Sequence, residues 1–177
     1  MNRALYIGRF NPPHLGHLSS IKYILNKEND IDQVIIGIGS AQESFTTENP
    51  FTSGERFEML LASLNEFEIQ ENKYLIVPIP DLNNNNQWMS YLKSILPSFK
   101  IIYSNNPLVS LLTKNDNELE IRNIPFINRE KWSSTNIRRK IILNDESWID
   151  LVPKSVRKFI LQLNGLERIR LLNTTDQ

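Results

Sequence analysis

Between residues 4 and 125, apolar runs of strand length alternate with segments whose apolar residues recur at helical spacing, and no other feature constrains the fold as strongly. The runs are ALYIGRF (4–10), QVIIGIGS (33–40), KYLIVPIP (73–80), KIIYSN (100–105) and LEIRNIP (119–125). QVIIGIGS is nearly all apolar, as a strand covered on both faces should be, and Pro78 and Pro80 should end the third run. Between them lie LGHLSSIKYILNK (15–27), with Leu18, Ile21, Ile24 and Leu25 at helical spacing, and SGERFEMLLASLNEF (53–67). The latter begins at Ser53, a suitable cap, and carries Phe57, Leu60, Leu61 and Leu64 on one side. QWMSYLKSILP (87–97) and PLVSLLTKN (107–115) continue the alternation, and helices over 135–144 and 153–164 precede a polar tail, NTTDQ.

Strands that trade places with helices predict an α/β fold: a Rossmann-like, doubly wound, five-stranded parallel sheet with C-terminal helices. Its ligand belongs at the carboxyl ends of the strands, near the switch point. At 177 residues we read a single domain, 1–177, with a Rossmann-like core over 1–130 and a helical part over 131–170 that carries SSTNIR.

Twenty basic residues balance twenty acidic ones, so no global field draws the chain to nucleic acid or to an anionic membrane, and phosphate binding has to come from a local cluster. With no cysteine, disulfides, thiolate metal sites and a cysteine nucleophile are excluded. No apolar run reaches membrane-span length, and MNRALYIGRF passes into a strand pattern without a signal-peptide core. These features predict a cytoplasmic protein.

Both histidines of the chain, His14 and His17, lie in GRFNPPHLGH, between the first strand and the first helix. There backbone amides and the helix dipole favour a phosphate, and the two imidazoles, one turn apart, can reach one anion. Gly16 admits close approach to the backbone, and an imidazole can donate to a phosphoryl group gaining charge. The alternatives are a chance pattern or a metal pair, the latter weakened by the lack of further His or Cys. Downstream, SSTNIRRK (133–140) reads as a helix start with Ser133 or Ser134 as cap and Arg138 on Ser134's face. Hydroxyls, free amides and a guanidinium make a polyphosphate cradle; an ordinary capped surface helix would look the same.

The H-x-G-H loop and S-[ST]-T-x-I-R together resemble the nucleotidyltransferase superfamily. More closely, YIGRFNPPHLGH, IIGIGSAQ, ENPFTSGER, IPD with Trp88, YSNNPLV, WSSTNIRRK and LVPK follow the order and spacing of the archaeal-type nicotinamide-nucleotide adenylyltransferases over essentially the whole chain. The pattern departs at Phe45, where a histidine is common, and at Asn11 and Pro13, where Gln and Phe are common.

The resemblance implies adenylyl transfer from ATP to nicotinamide mononucleotide, giving NAD and pyrophosphate by direct in-line attack on the α-phosphorus. It implies that Arg9, His14 and His17 contact the ATP phosphates, with His17 nearest the reacting group. Ser133, Ser134, Thr135 and Arg138 would hold the β- and γ-phosphates. Gly8, Phe10, Gly16, Asn105 and Asn106 would complete the ATP side. Trp88 would stack on the nicotinamide, Asp81, Leu82 and Asn85 would bond its carboxamide, and Ser40 would meet the acceptor phosphate. Magnesium would bridge the phosphates with no metal site made by the protein, and the family commonly forms homo-oligomers, often hexamers.

Read from the residues alone, several of these positions admit simpler roles. Trp88 beside Met89 and Leu92 reads as core, the Asn run 83–86 as a solvated loop, and Asn105 and Asn106 as a strand-ending turn. Arg56 is either a structural ion pair or a phosphate ligand. Rival functions are the same chemistry on phosphopantetheine, flavin mononucleotide or glycerol phosphate, a class I aminoacyl-tRNA synthetase fragment, or an idle nucleotide sensor.

Overall fold

The computed structural model describes residues 1–27, 30–114, 116–125 and 131–174. Asn115, the end of the fourth helical pattern, the tail residues 175–177 and the expected boundary at 130 lie outside them. Five strands, β1 (Arg3–Gly8), β2 (Gln33–Ile38), β3 (Tyr74–Pro78), β4 (Ile101–Tyr103) and β5 (Glu120–Arg122), form one sheet in the order β3-β2-β1-β4-β5, and every pair is parallel. The helices are α1 (Leu15–Lys27), α2 (Ser53–Glu66), α3 (Trp88–Ile95), α4 (Pro107–Thr113), α5 (Ser134–Ile142), α6 (Lys154–Gln162) and α7 (Gly165–Thr174). Among the described residues, no helix is long and apolar enough to cross a membrane.

The period-2 alternation of the strands assigns the two faces. Ala4, Val34, Ile36, Ile38, Ile101 and Tyr103 pack with Leu18, Ile21 and Ile24 of α1 and Leu60 and Leu64 of α2. Leu5, Ile35 and Ile102 face the other way, onto Met89 and Leu92 of α3, with Val109 of α4 against the same cluster. β2 is buried along its whole length, as its apolar sequence predicts. A third cluster joins Phe51 and Met59 to Ile137 and Ile141 of α5, Trp148 of the 3₁₀ turn before α6, Val156 and Ile160 of α6, and Ile169 of α7, so the C-terminal helices share a core with α2.

Three local details differ from the sequence reading. The cap of α2 is Thr52, because its backbone is still extended whereas Ser53 is already helical; Thr52 Oγ1 accepts from Glu55 N at 3.2 Å and Glu55 Oε2 from Thr52 N at 2.9 Å, a capping box. β4 and β5 are shorter than their apolar runs because beyond Tyr103 the ladder passes to a side chain. Asn105 Nδ2 donates to Ile124 O at 2.7 Å, and its Oδ1 accepts from Ile124 N at 3.0 Å. α6 ends at a left-handed Asn164, after which the chain turns into α7, which the sequence reading lacks. Gly165 allows the tight join, since a Cβ there would sit 2.9 Å from the carbonyl oxygen of Ile160 and 3.0 Å from Phe51.

Candidate active site

The sheet order changes direction between β1 and β4, and a cavity of about 380 Å³ opens at their carboxyl ends, the position at which doubly wound sheets bind ligands. Four segments line it: the end of β1 with the loop into α1, the turn after β4, the segment after β5 at Ile124 and Pro125, and the start of α5. Arg9, Phe10, His14, Gly16, His17, Asn105, Asn106, Ser133, Ser134, Thr135 and Arg138 all face this cavity, so the structure brings the two motifs, more than a hundred residues apart, to one place. Among the expected ATP-side residues only Gly8 is not part of the lining. It lies directly beneath, where a Cβ would meet the Phe10 ring at 3.0 Å.

The histidine pair is built by the start of α1. His14 O accepts from His17 N at 2.9 Å, and His14 N donates to His17 Nδ1 at 3.2 Å, so the third residue of the helix caps its own start. A backbone amide can only donate, so Nδ1 of His17 is an acceptor and its proton sits on Nε2. The rings stack at 3.6 Å between centroids, and the Phe10 ring meets His17 at 4.6 Å, tilted by 56°. Burial lowers both basicities: His14 falls to about 3, and His17 lies well below its ordinary value, with the neighbouring imidazole adding to the effect. Both are therefore neutral donors at physiological pH. Gly16 lines the cavity and also makes room for protein: a Cβ there would lie 3.0 Å from Trp132 Cβ and 3.1 Å from the His14 ring.

The start of α5 is docked on that loop. Ser133 caps the helix, its Oγ accepting from Asn136 N at 3.1 Å. Ser134 Oγ donates to Pro12 O at 2.9 Å, and Arg138 Nη1 to Asn11 O at 2.9 Å. Asn11 is buried and donates to Asn49 Oδ1 (3.3 Å) and Phe51 O (3.2 Å), while its Oδ1 accepts from Phe51 N (3.1 Å). Asn11 thus ties the loop to the NPF segment before α2. Burial lowers the Arg138 basicity, opposed by Glu48. Glu48 is paired with Arg9 through Arg9 Nη1, and that guanidinium holds the Glu48 carboxyl below the usual range.

Ser40, Asp81, Leu82, Asn85 and Trp88 lie apart from this cavity, beyond the ends of β2 and β3. Ser40 N donates to Asp81 Oδ1 at 3.2 Å, Gln42 Nε2 to Asp81 Oδ2 at 3.2 Å, and Asp81 N to Gln42 Oε1 at 2.9 Å. Leu82 is half-buried, Asn85 is exposed in a single 3₁₀ turn, and Trp88 opens α3 half-buried against the Leu5–Ile35 face of the sheet. Arg56, left open by the sequence, is completely buried and forms no salt bridge among the described residues. Phe45 is exposed but lies over the Arg168 guanidinium, 4.9 Å from its carbon.

Tyr6, Ser20 and Trp132 also line the cavity and were not singled out from sequence. Tyr6 meets Phe10 edge-on at 5.9 Å, and burial pushes its hydroxyl up to about 12; its place at the cavity end of β1 follows from the alternation with Ala4. Trp132 Nε1 is buried and has no hydrogen-bond partner among the described residues. Its signal was adjacency to the SST motif.

Residues 5–140 match the cytidylyltransferase-like family. The chain is 46% identical over 178 residues to the nicotinamide-nucleotide adenylyltransferase of Saccharolobus solfataricus, covering 100% of both chains. To that of Thermoplasma volcanium it is 46% identical over 176 residues, 99% of this chain and 95% of the relative. Among solved structures it is similar to a bifunctional NMN adenylyltransferase/ADP ribose pyrophosphatase of Francisella tularensis, complexed with AMP and a manganese ion (TM-score 0.67, 19% identity). The match covers 93% of this chain and 53% of that one, so the chain spans about half the length of the bifunctional protein. A Plasmodium falciparum nicotinic acid mononucleotide adenylyltransferase complexed with NaAD gives a TM-score of 0.64 at 14% identity, covering 94% and 97%.

Proposed function

The chain belongs to the cytidylyltransferase-like family and, within it, to the nicotinamide-nucleotide adenylyltransferases, and from this premise we propose how its residues carry the reaction. The enzyme transfers the adenylyl group of ATP to nicotinamide mononucleotide, giving NAD and pyrophosphate in NAD biosynthesis. A 5′-phosphate oxygen of the mononucleotide attacks the α-phosphorus in line; the new P–O bond forms as the bond to the β-phosphate oxygen breaks, and pyrophosphate leaves. No covalent intermediate with the protein is needed, so catalysis consists of positioning and charge stabilisation.

The observation that carries this reading is the fixed pair of neutral imidazoles facing the α5 start across one cavity. His17, its Nδ1 occupied by His14 N, presents Nε2–H to the α-phosphoryl oxygens as their charge grows. His14 and Arg9 contact the same phosphates, while Ser133, Ser134, Thr135 and Arg138 hold the β- and γ-phosphates and the departing pyrophosphate. Arg9 binds on exchanging Glu48 for a phosphate. Gly8, Phe10, Gly16, Asn105 and Asn106 shape the adenosine side.

On the acceptor side Trp88 stacks on the nicotinamide, Asp81, Leu82 and Asn85 bond the carboxamide, and Ser40 meets the acceptor phosphate. Magnesium, when bound, would neutralise charge on the triphosphate; among the described residues the cavity lining carries no carboxylate, so substrate oxygens and water would hold such an ion. The same reading includes a homo-oligomer, for which exposed Leu108 and Leu111 offer apolar surface, a cytoplasmic location, and residues 1–177 as one domain, supported by the core that α2 shares with α5, α6 and α7.

Pyrophosphate release and NAD formation, measured with ATP and magnesium and either nicotinamide mononucleotide, its deamidated form, flavin mononucleotide or phosphopantetheine, test the reading. It requires turnover with the nicotinamide forms alone. Turnover with another acceptor would discard the acceptor-side assignments, and ATP binding without any turnover would leave a nucleotide sensor.

A further inference from the structure

Among the described residues Arg56 is the largest fully buried side chain, and its guanidinium donates there only to backbone carbonyls. Nη1 reaches Arg9 O at 3.0 Å and Gly39 O at 2.9 Å, Nη2 reaches Ser40 O at 3.0 Å and Glu43 O at 3.2 Å, and Nε reaches Thr52 O at 3.2 Å. Those carbonyls belong to three segments: the loop after β1, the loop after β2 and the cap of α2. The first two depart from adjacent parallel strands, and each contains a non-glycine residue in the left-handed region next to a held carbonyl, Phe10 (φ 51°) and Ser40 (φ 49°). Such residues stay left-handed only where surrounding structure fixes them.

We infer that Arg56 is a positioning residue that sets the spacing between the loop carrying Arg9, on the ATP side, and the loop carrying Ser40, on the acceptor side. This rests on the adenylyl-transfer reading. The planar fork suits the task, because its donors point in fixed in-plane directions toward carbonyls of both loops, and an ammonium on a single stem cannot reproduce them. Its donors are taken up by main chain, so it is neither of the two roles its sequence context suggested. An in-line displacement needs the attacking oxygen and the α-phosphorus held in register, and each substrate's half of the site hangs from one of the two loops. A shift of one loop against the other leaves both binding surfaces intact and misaligns the reacting atoms.

Arg56→Lys tests this with the wild type run in parallel. Wild-type NAD formation tests the adenylyl-transfer reading, and the variant tests the role of Arg56. The expected result is a kcat lower by roughly a hundredfold, the scale of a misplacement of about 1 Å, with KM for ATP and for the mononucleotide each changed less than about threefold. Normal turnover per folded molecule with only a lower Tm would overturn the inference, as would a large rise in KM for one substrate alone, which marks direct binding. A second measurement needs no variant: side-chain NMR of Arg56 in the wild type with a non-hydrolysable ATP analogue and the mononucleotide. Guanidinium protons protected from exchange and little shifted by the substrates are expected; a large shift on adding either phosphate would overturn the role.

Discussion

The two halves of the site are built differently. On the β1–β4 side the chemistry-bearing groups rest on buried main chain: His17 on the His14 amide, Ser134 and Arg138 on the carbonyls of Pro12 and Asn11, and Asn11 itself on Asn49 and Phe51. On the β2–β3 side Asp81 and Asn85 are exposed; Asp81 is held by Ser40 N and Gln42, and Ser40 in turn by Arg56. The first arrangement is set before a ligand arrives, which is what stabilising charge in a transition state requires; the second is suited to recognising one. Substitutions on the two sides should therefore separate into losses of kcat and losses of KM.

The largest expected effect is that of His17→Ala: turnover falls by more than about a hundredfold with ATP binding mostly kept, the scale of losing one preorganised donor. Steady-state kinetics with ATP titration checks it, and near-normal turnover would remove His17 from the mechanism. Arg138→Ala should lower kcat by about tenfold to a hundredfold, since it removes both a phosphate partner and the tie to Asn11, and should weaken pyrophosphate inhibition. Trp88→Ala should raise KM for the mononucleotide by about tenfold, the upper range of an aromatic stack, with KM for ATP within twofold. Equal rises in both would make Trp88 core only.

The histidines also sharpen the comparison through pH. Their folded-state basicity is depressed, so below the ordinary imidazole range the unfolded chain binds protons that the folded chain refuses. Stability is then complete above about pH 6.5 and declines as pH falls toward the folded-state value of about 3 for His14. Thermal melts from pH 4 to 8 should show Tm dropping on the acid side, and His14→Gln should flatten that slope. The smallest effect is that of Glu48→Gln, which releases Arg9 from an exposed pair and should lower KM for ATP by at most about fivefold, the range of such surface pairs.

The architecture was legible because β2 is apolar throughout and the helical segments keep their 3.6 spacing: strand order apart, each of the five runs became a strand. The cavity side was equally legible, since the position of a loop at the end of β1 dictates what it faces. What escaped were features set by backbone conformation or by long-range contact, which residue type does not record. α7 hides behind a turn-like Asn164-Gly165, the cap of α2 depends on one residue's backbone, and Gly16 answers to Trp132 from across the molecule. Arg56 could not be read at all, because its partners are carbonyls of distant segments and main-chain acceptors leave no trace in residue type.

A crystal structure with NAD bound tests the division of the site most directly. The adenosine half should lie in the cavity between β1 and β4, its phosphate within hydrogen-bond distance of His17 Nε2, and the nicotinamide should stack on Trp88 beyond β2 and β3. A dinucleotide lying in the reverse direction, or one that leaves Trp88 untouched, would contradict it.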